Sequence, residues 1–230
     1  MKFESSLIRG KLIRRWNRFL SEVELENGEI VKAHCPNSGR MTTCNIPGAP
    51  VLIRFVDDPK RKLKYTWELI NTGSHWVCIN TGRANQVAKE ALEQKNIPEF
   101  AEFSNVRPEF KIGKSRIDFL LENEVNKCFI EVKSVSYIEK QKCCFPDAIT
   151  SRGLKHLNEL IELKQQGHRA AMLYLVMSDE PKSFKPADHV DPDYGQALRV
   201  AHQTGVEIYV YTCLTTEQGM TLARPIPFNL

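Results

Sequence analysis

Two stretches of this chain set carboxylates among residues that otherwise read as the inside of a sheet. They are Arg116-Ile117-Asp118-Phe119-Leu120-Leu121 and Phe129-Ile130-Glu131-Val132-Lys133-Ser134-Val135. Successive side chains of a strand alternate, so Glu131 and Lys133 share one face while Ile130 and Val132 share the other. Removing an unpaired carboxylate from water costs several kcal/mol, so each of these charges needs a partner or a ligand. If the two strands pair through a turn at Glu124 to Asn126, Asp118 and Glu131 converge.

Hard oxygen ligands on adjacent strands, with the carbonyl of Val132 nearby, suit Mg²⁺ or Mn²⁺ better than zinc. The chemistry that follows is phosphodiester hydrolysis. The cation polarises the phosphate and lowers the pKa of a bound water, and the Lys133 ammonium steadies the attacking hydroxide and the developing negative charge. The alternative is an internal salt-bridge network of Asp118, Glu131 and Lys133 that holds no metal.

A helix precedes these strands. Ala84, Val87, Ala88, Ala91 and Leu92 recur at helical spacing, and Pro98 closes the segment. Advancing about 100° per residue from Ala84, Glu90 falls near 240°, beside the apolar stripe, and Glu93 near 180°, on the far side. Glu90 is therefore the expected third carboxylate of the metal site, or else a boundary glutamate in water paired with Lys89 or Arg83.

The rest of the chain divides near Asn80-Thr81-Gly82. Before it, Val23 to Leu25 and Ile30 to Ala33 flank the hairpin signal Asn27-Gly28, and Val51 to Val56 and Lys64 to Asn71 flank Asp57-Asp58-Pro59. Short strands at this density predict a small OB-like β-barrel over residues 1–82. Residues 83–230 alternate differently: a helix, strands at Val106 to Ile112, Ser115 to Glu122 and Lys127 to Val135, a helix through Leu154 to Ile161, a strand at Arg169 to Met177, a helix over Asp193 to Thr204 and a strand at Val206 to Cys213. That order predicts a second domain with a mixed sheet and helices on its faces, so the chain is read as a two-domain α+β protein.

Charge is uneven between the two parts. Residues 1–82 hold 13 Lys+Arg against 8 Asp+Glu, and the remaining residues hold 19 against 20, so the whole excess lies in the first part and points to an anionic partner. Arg9, Lys11, Arg14, Arg15 and Arg18, with Trp16 and Phe19 interleaved, form one cluster; Lys60, Arg61, Lys62 and Lys64 form another beside Tyr65 and Trp67. Basic groups neutralise phosphates without reading bases, which is the chemistry of DNA binding without sequence specificity. Solvated charge is the other reading, and Trp16 and Phe19 are expected in the core.

Seven scattered cysteines with no Cys-x-x-Cys suggest reduced thiols in a cytoplasmic protein, and no apolar run suggests a membrane span. No small-molecule cofactor is evident. Asp147 or Ser151 caps the second helix, or Asp147 faces the site or the DNA. Arg152 and His156 lie one turn apart, placed either to meet a phosphate or, for His156, to pack at a boundary.

The sequence resembles the sugar fermentation stimulation protein (SfsA) family. The resemblance rests on His34-Cys35-Pro36-Asn37-Ser38-Gly39-Arg40-Met41, Asn80-Thr81, Ala84-Asn85, Lys89-Glu90-Ala91, Arg116-Ile117-Asp118, Glu131-Val132-Lys133-Ser134-Val135, Phe145-Pro146-Asp147-Ala148 and Arg152-Gly153-Leu154-Lys155-His156-Leu157, which span most of the chain. It implies an N-terminal OB-like barrel and a C-terminal domain of the PD-(D/E)xK, restriction-endonuclease-like type. It further implies DNA binding without sequence specificity and a regulatory link to sugar, notably maltose, metabolism. By position Asp118, Glu131 and Lys133 occupy the nuclease-like motif, with Glu90 on the helix before it, and Ile117 stands where the motif's name would put Pro. Arg40 and Arg152 join the basic residues above as expected DNA contacts.

Overall fold

The structure is a computed structural model that describes residues 1–73, 75–113 and 115–230. Its first part contains β1 (Ile8–Trp16), β2 (Leu20–Leu25), β3 (Ile30–His34), β4 (Pro50–Phe55), β5 (Tyr65–Asn71) and β6 (Trp76–Cys78). The strands run in the order β3-β2-β1-β4-β5-β6, and a β3–β5 pairing closes the first five into the expected barrel. Alternation explains the closure: Leu12, Val23, Val31, Ala33, Ile53 and Trp67 point inward and are fully or almost fully buried. Asn27-Gly28 turns β2 into β3, with Gly28 at φ 83, where only glycine is free of strain. Gly10 is required for packing, since a Cβ there would lie 2.5 Å from Val23 Cγ1 and 2.7 Å from the Glu24 carbonyl oxygen.

The second part contains α1 (Gly82–Glu93), β7 (Asn105–Ile112), β8 (Ser115–Glu122), β9 (Lys127–Val135), β10 (Tyr137–Glu139), β11 (Lys142–Phe145), α2 (Ser151–Gln165), β12 (Arg169–Val176), β13 (Ser183–Pro186), α3 (Pro192–Gln203), β14 (Glu207–Thr216) and β15 (Gly219–Pro225). A mixed sheet is built in the order β15-β14-β12-β9-β8-β7, parallel at β9, β12 and β14 and antiparallel at both edges. Every residue of β12 after Arg169 is buried, as a central parallel strand covered on both faces requires. One face carries Phe119, Ile130 and Leu173 into a cluster with Val87 and Ala91 of α1 and with the barrel interior; the other carries Leu120, Phe129 and Met172 against Leu157 of α2 and Leu198 of α3.

The sequence pattern did not reveal β10, β11, β13 or β15. The first three are three or four residues long, too short for a period to register, and form a small separate sheet.

A buried carboxylate joins barrel to helix. Glu68 on β5 is fully buried and accepts two hydrogen bonds from one edge of the Arg83 guanidinium, Nη2 at 2.7 Å and Nε at 3.0 Å. Arg54 Nε and Asn80 Nδ2 complete its partners at 3.0 and 2.8 Å. Because Arg83 lies in the first turn of α1, this pair sets where the helix begins against the barrel. Glu68→Gln leaves Arg83 without its buried counter-charge and with only the exposed Glu4 carboxylate at 3.1 Å, so urea unfolding is expected to show a loss of about 3 kcal/mol or more. A loss within about 1 kcal/mol would equate the pair with a surface contact.

Candidate metal centre and nucleic-acid interface

The centre lies where two paired strands part. β8 and β9 pair from Glu122–Lys127 to Phe119–Ile130, and there the recorded ladder ends. The next residues are Asp118 and Glu131. Instead of a backbone carbonyl, the Val132 N–H meets Asp118 Oδ2 at 2.8 Å. Strand alternation fails at this point: Ile117 joins the same α2-side cluster as Leu120, three residues away, and Glu109 on β7 adopts a left-handed φ of 51. The local twist turns the Asp118 carboxylate into the fork, where Asn85 of α1 donates to Oδ1 at 2.8 Å.

Glu131 is 3% exposed. Its Oε1 accepts from Lys133 Nζ at 2.7 Å and from His156 Nδ1, while Oε2 is buried with no hydrogen-bond partner. His156 Nε2 in turn accepts from Arg152 Nε at 3.4 Å, so the tautomer protonated on Nδ1 satisfies both contacts. Burial works against ionisation of Glu131, yet the His156 hydrogen bond and the Lys133 ammonium hold its pKa below the ordinary value. Asp118 shifts the other way, pushed up by burial and by the Glu131 charge against the relief from the Val132 N–H and Asn85. Two carboxylates that repel, one with a buried oxygen unmatched, form an electrostatic hole of the kind a cation can fill. Mg²⁺ is commonly held by one or two carboxylates with waters completing its shell, so this donor set fits a hard divalent ion.

The third carboxylate is elsewhere. Glu90 is 42% exposed in its side chain and pairs with the Met1 ammonium at 2.5 Å, on the side of α1 that meets β15. The helix offers Asn85 to the fork in its place, and among the described residues no cluster of three or more His, Cys, Asp or Glu is arranged to hold a metal. At Val132 the contact shown is through its N–H and not its carbonyl.

Asp147 caps nothing: Thr150 is the N-cap of α2, accepting from the Gly153 N–H, while Asp147 Oδ2 accepts from the Met41 N–H at 3.0 Å. That bond draws barrel loop 37–41 onto the segment before α2. From the barrel side Arg15 fixes the same loop, donating to the carbonyls of Arg18, Asn37, Gly39 and Arg40 at 2.8–3.1 Å.

The basic residues thus fall into two groups. Arg9 pairs with Glu217, Arg14 with Glu22, Arg61 with Thr66 and Lys64 with the Asp58 carbonyl, and Arg15 is consumed by its loop. The side chains of Lys11, Arg40, Lys60 and Lys62 have no protein partner among the described residues, and Arg18 has only a 3.4 Å contact to the Ser38 carbonyl. Phe19 is exposed and Trp16 half-buried beneath Arg14, contrary to the expected core placement, because both sit at the β1–β2 hairpin end, outside the barrel wall.

Comparison with known proteins decides the family. The family model for the SfsA N-terminal OB domain matches residues 13–79, and that for the sugar fermentation stimulation protein RE domain matches residues 82–219. The chain belongs to the sugar fermentation stimulation protein family. A homologue from Geobacter metallireducens is 44% identical over 232 residues, covering 100% of both chains, and one from Psychromonas ingrahamii is 49% identical over 209 residues, covering 87% of this chain and 91% of that one. Among solved structures, Pyrococcus furiosus SfsA in complex with Ca²⁺ superposes with a TM-score of 0.90 at 25% identity, covering 100% of this chain and 98% of that one.

Sequence reasoning had no means of selecting Asn85. It lies near 100° on the helical wheel, on the opposite flank of the stripe from Glu90, and the only signal was its position within a matched motif. Asn85→Ala removes a charge-assisted hydrogen bond from Asp118 and is expected to lower thermal-melt stability by about 1.5–3 kcal/mol. An unchanged melt would show that Asp118 does not depend on α1.

Proposed function

We propose that the chain binds DNA without reading its sequence and holds a divalent cation, Mg²⁺ or Mn²⁺, between Asp118 and Glu131. The supporting observation is the buried, unpartnered Oε2 of Glu131 beside a second carboxylate. The Ca²⁺ of the Pyrococcus furiosus relative supports a hard-cation site in this family. When bound, the cation supplies Lewis acidity and acidifies a coordinated water.

The protein's own residues do the rest. Asn85 and the Val132 N–H fix both oxygens of Asp118; His156 and Lys133 fix Oε1 of Glu131 and leave Oε2 free for a ligand. Arg152, at the start of α2, reaches the same network through His156, and in this reading it meets a phosphate of the bound strand. Arg18, Arg40, Lys60, Lys62 and Lys11 supply charge for further phosphates, a contact set blind to sequence. Seven buried free cysteines suit a reducing, cytoplasmic setting, and among the described residues no helix is long and apolar enough to cross a membrane. A link to the control of sugar metabolism is taken from the family's name. Lys133, 2.7 Å from Glu131, carries a second reading in which the site cleaves the bound strand, its ammonium stabilising charge that develops on the phosphate.

Calorimetry is expected to show Mn²⁺ binding to the wild type and none to the Asp118→Ala, Glu131→Ala double variant; equal uptake by both would remove the site. Filter binding of unrelated duplexes across a salt series is expected to give one common slope, near −0.9 per phosphate contact. Reversing Arg18, Arg40, Lys60 and Lys62 to Glu should flatten it for every duplex alike, and a salt-independent affinity would show the basic surface to be merely solvated. If the strand is cut, Lys133→Ala should abolish turnover and leave binding intact; full cleavage by that variant would exclude Lys133 from the chemistry.

A further inference from the structure

Beyond the carboxylates, β9 runs into a second polar feature. A cavity of about 180 Å³ opens between barrel loop 37–39 and the segment 144–150, lined on its sheet side by Ser134 and Ser136. The hydroxyls of both serines, and that of Ser38 opposite, have no protein partner among the described residues. Since Glu131 Oε2 is the only fully buried side-chain polar atom without a partner among those residues, the Ser134 and Ser136 hydroxyls open onto the cavity.

Asp147, in segment 144–150, also lines the cavity. Its Oδ2 is held by the Met41 N–H, while Oδ1 has no partner. Gly39 makes room for this carboxylate, because a Cβ there would lie 2.2 Å from each of its oxygens. The lining is thus rich in acceptors, with Arg18 the only cationic side chain in contact with it. With one guanidinium, Arg18, against one carboxylate, Asp147, the wall is close to neutral, and it suits an uncharged ligand that carries N–H donors. The amino edges of adenine, cytosine and guanine are of that kind, and Asp accepting from a base amine is an established pairing geometry.

Ile149 stands on the rim, 75% exposed, between the cavity and the start of α2. An isoleucine so placed gains nothing from the core. Apolar side chains that project from a basic surface are the means by which proteins pry apart stacked bases. We infer that this cavity receives a single unstacked base of the bound DNA, amino edge inward, with Ile149 as the wedge that separates it from its neighbour. The inference rests on the DNA-binding reading above and adds to it a preference for strands that unstack cheaply, such as mismatched or single-stranded segments.

Duplexes that carry 2-aminopurine at a mismatch, in a paired interior position or at an end test this, since its fluorescence rises on unstacking. In Ca²⁺ buffer, saturating protein is expected to raise the mismatch signal several-fold. Ile149→Ser and Asp147→Asn should each remove at least half of that rise at protein concentrations where anisotropy shows the duplex fully bound. Ile149 touches no core, and Asn at 147 keeps an acceptor for Met41, so both variants are expected to melt as the wild type does; Ser136→Ala serves as a third if either does not. Binding by anisotropy without a fluorescence rise at any position, or an undiminished rise in the variants, would overturn the base pocket alone. An absence of binding by anisotropy would instead overturn the DNA-binding reading and the pocket with it.

Discussion

The site is governed by the cost of placing Glu131 in the middle of a packed sheet. A carboxylate there forfeits its water, and its neighbours have to replace it. One oxygen is provided for: Lys133 from the same strand face and His156 from α2 meet Oε1, with Arg152 behind His156. The other is not, and Asp118 brings a second negative charge to the same place. A sheet selected only for stability would carry an apolar residue at one of these positions, since well-packed hydrophobic replacements of buried ionic groups are often neutral or stabilising. The unmatched oxygen is a cost that packing alone does not offset, and the proposed cation is what would offset it.

A line of contacts runs from the barrel to that oxygen pair. Glu68 on β5 grips Arg83 in the first turn of α1, and Asn85, two residues on, holds Asp118. The same turn therefore anchors the helix to the barrel and aims a carboxylate at the fork between β8 and β9. Arg15 and Asp147 make a second bridge, through the loop at 37–41, and that loop forms one wall of the cleft beyond β9. Two separate attachments thus keep the basic barrel and the carboxylates in fixed relation, as the proposed reading of DNA held at one place and a cation at another requires.

Much of this was legible in the sequence because strand and helix periods are local. β8 and β9 were readable to the residue, since charges inside apolar strands mark them, and the turn at Glu124 to Asn126 was the ground for expecting Asp118 beside Glu131. What a period cannot tell is which flank of an amphipathic helix meets a given neighbour. Asn85 and Glu90 bracket the same apolar stripe of α1, and packing against β15 took Glu90 to the Met1 ammonium. Charge was legible in the same limited way: the excess of the first 82 residues could be counted, but that Arg15 spends its donors on four carbonyls depends on a loop fold that sequence alone does not specify.

The most direct test of the account is anomalous diffraction from crystals of the protein grown with Mn²⁺. The account predicts one strong peak in the fork, within about 2.0–2.6 Å of a carboxylate oxygen of Asp118 and of Glu131 Oε2, the range for hard divalent ions on oxygen ligands. A peak bound elsewhere, or a fork in which Lys133 turns to satisfy Oε2 and no peak is found, would contradict it and leave these charges as an internal salt-bridge network.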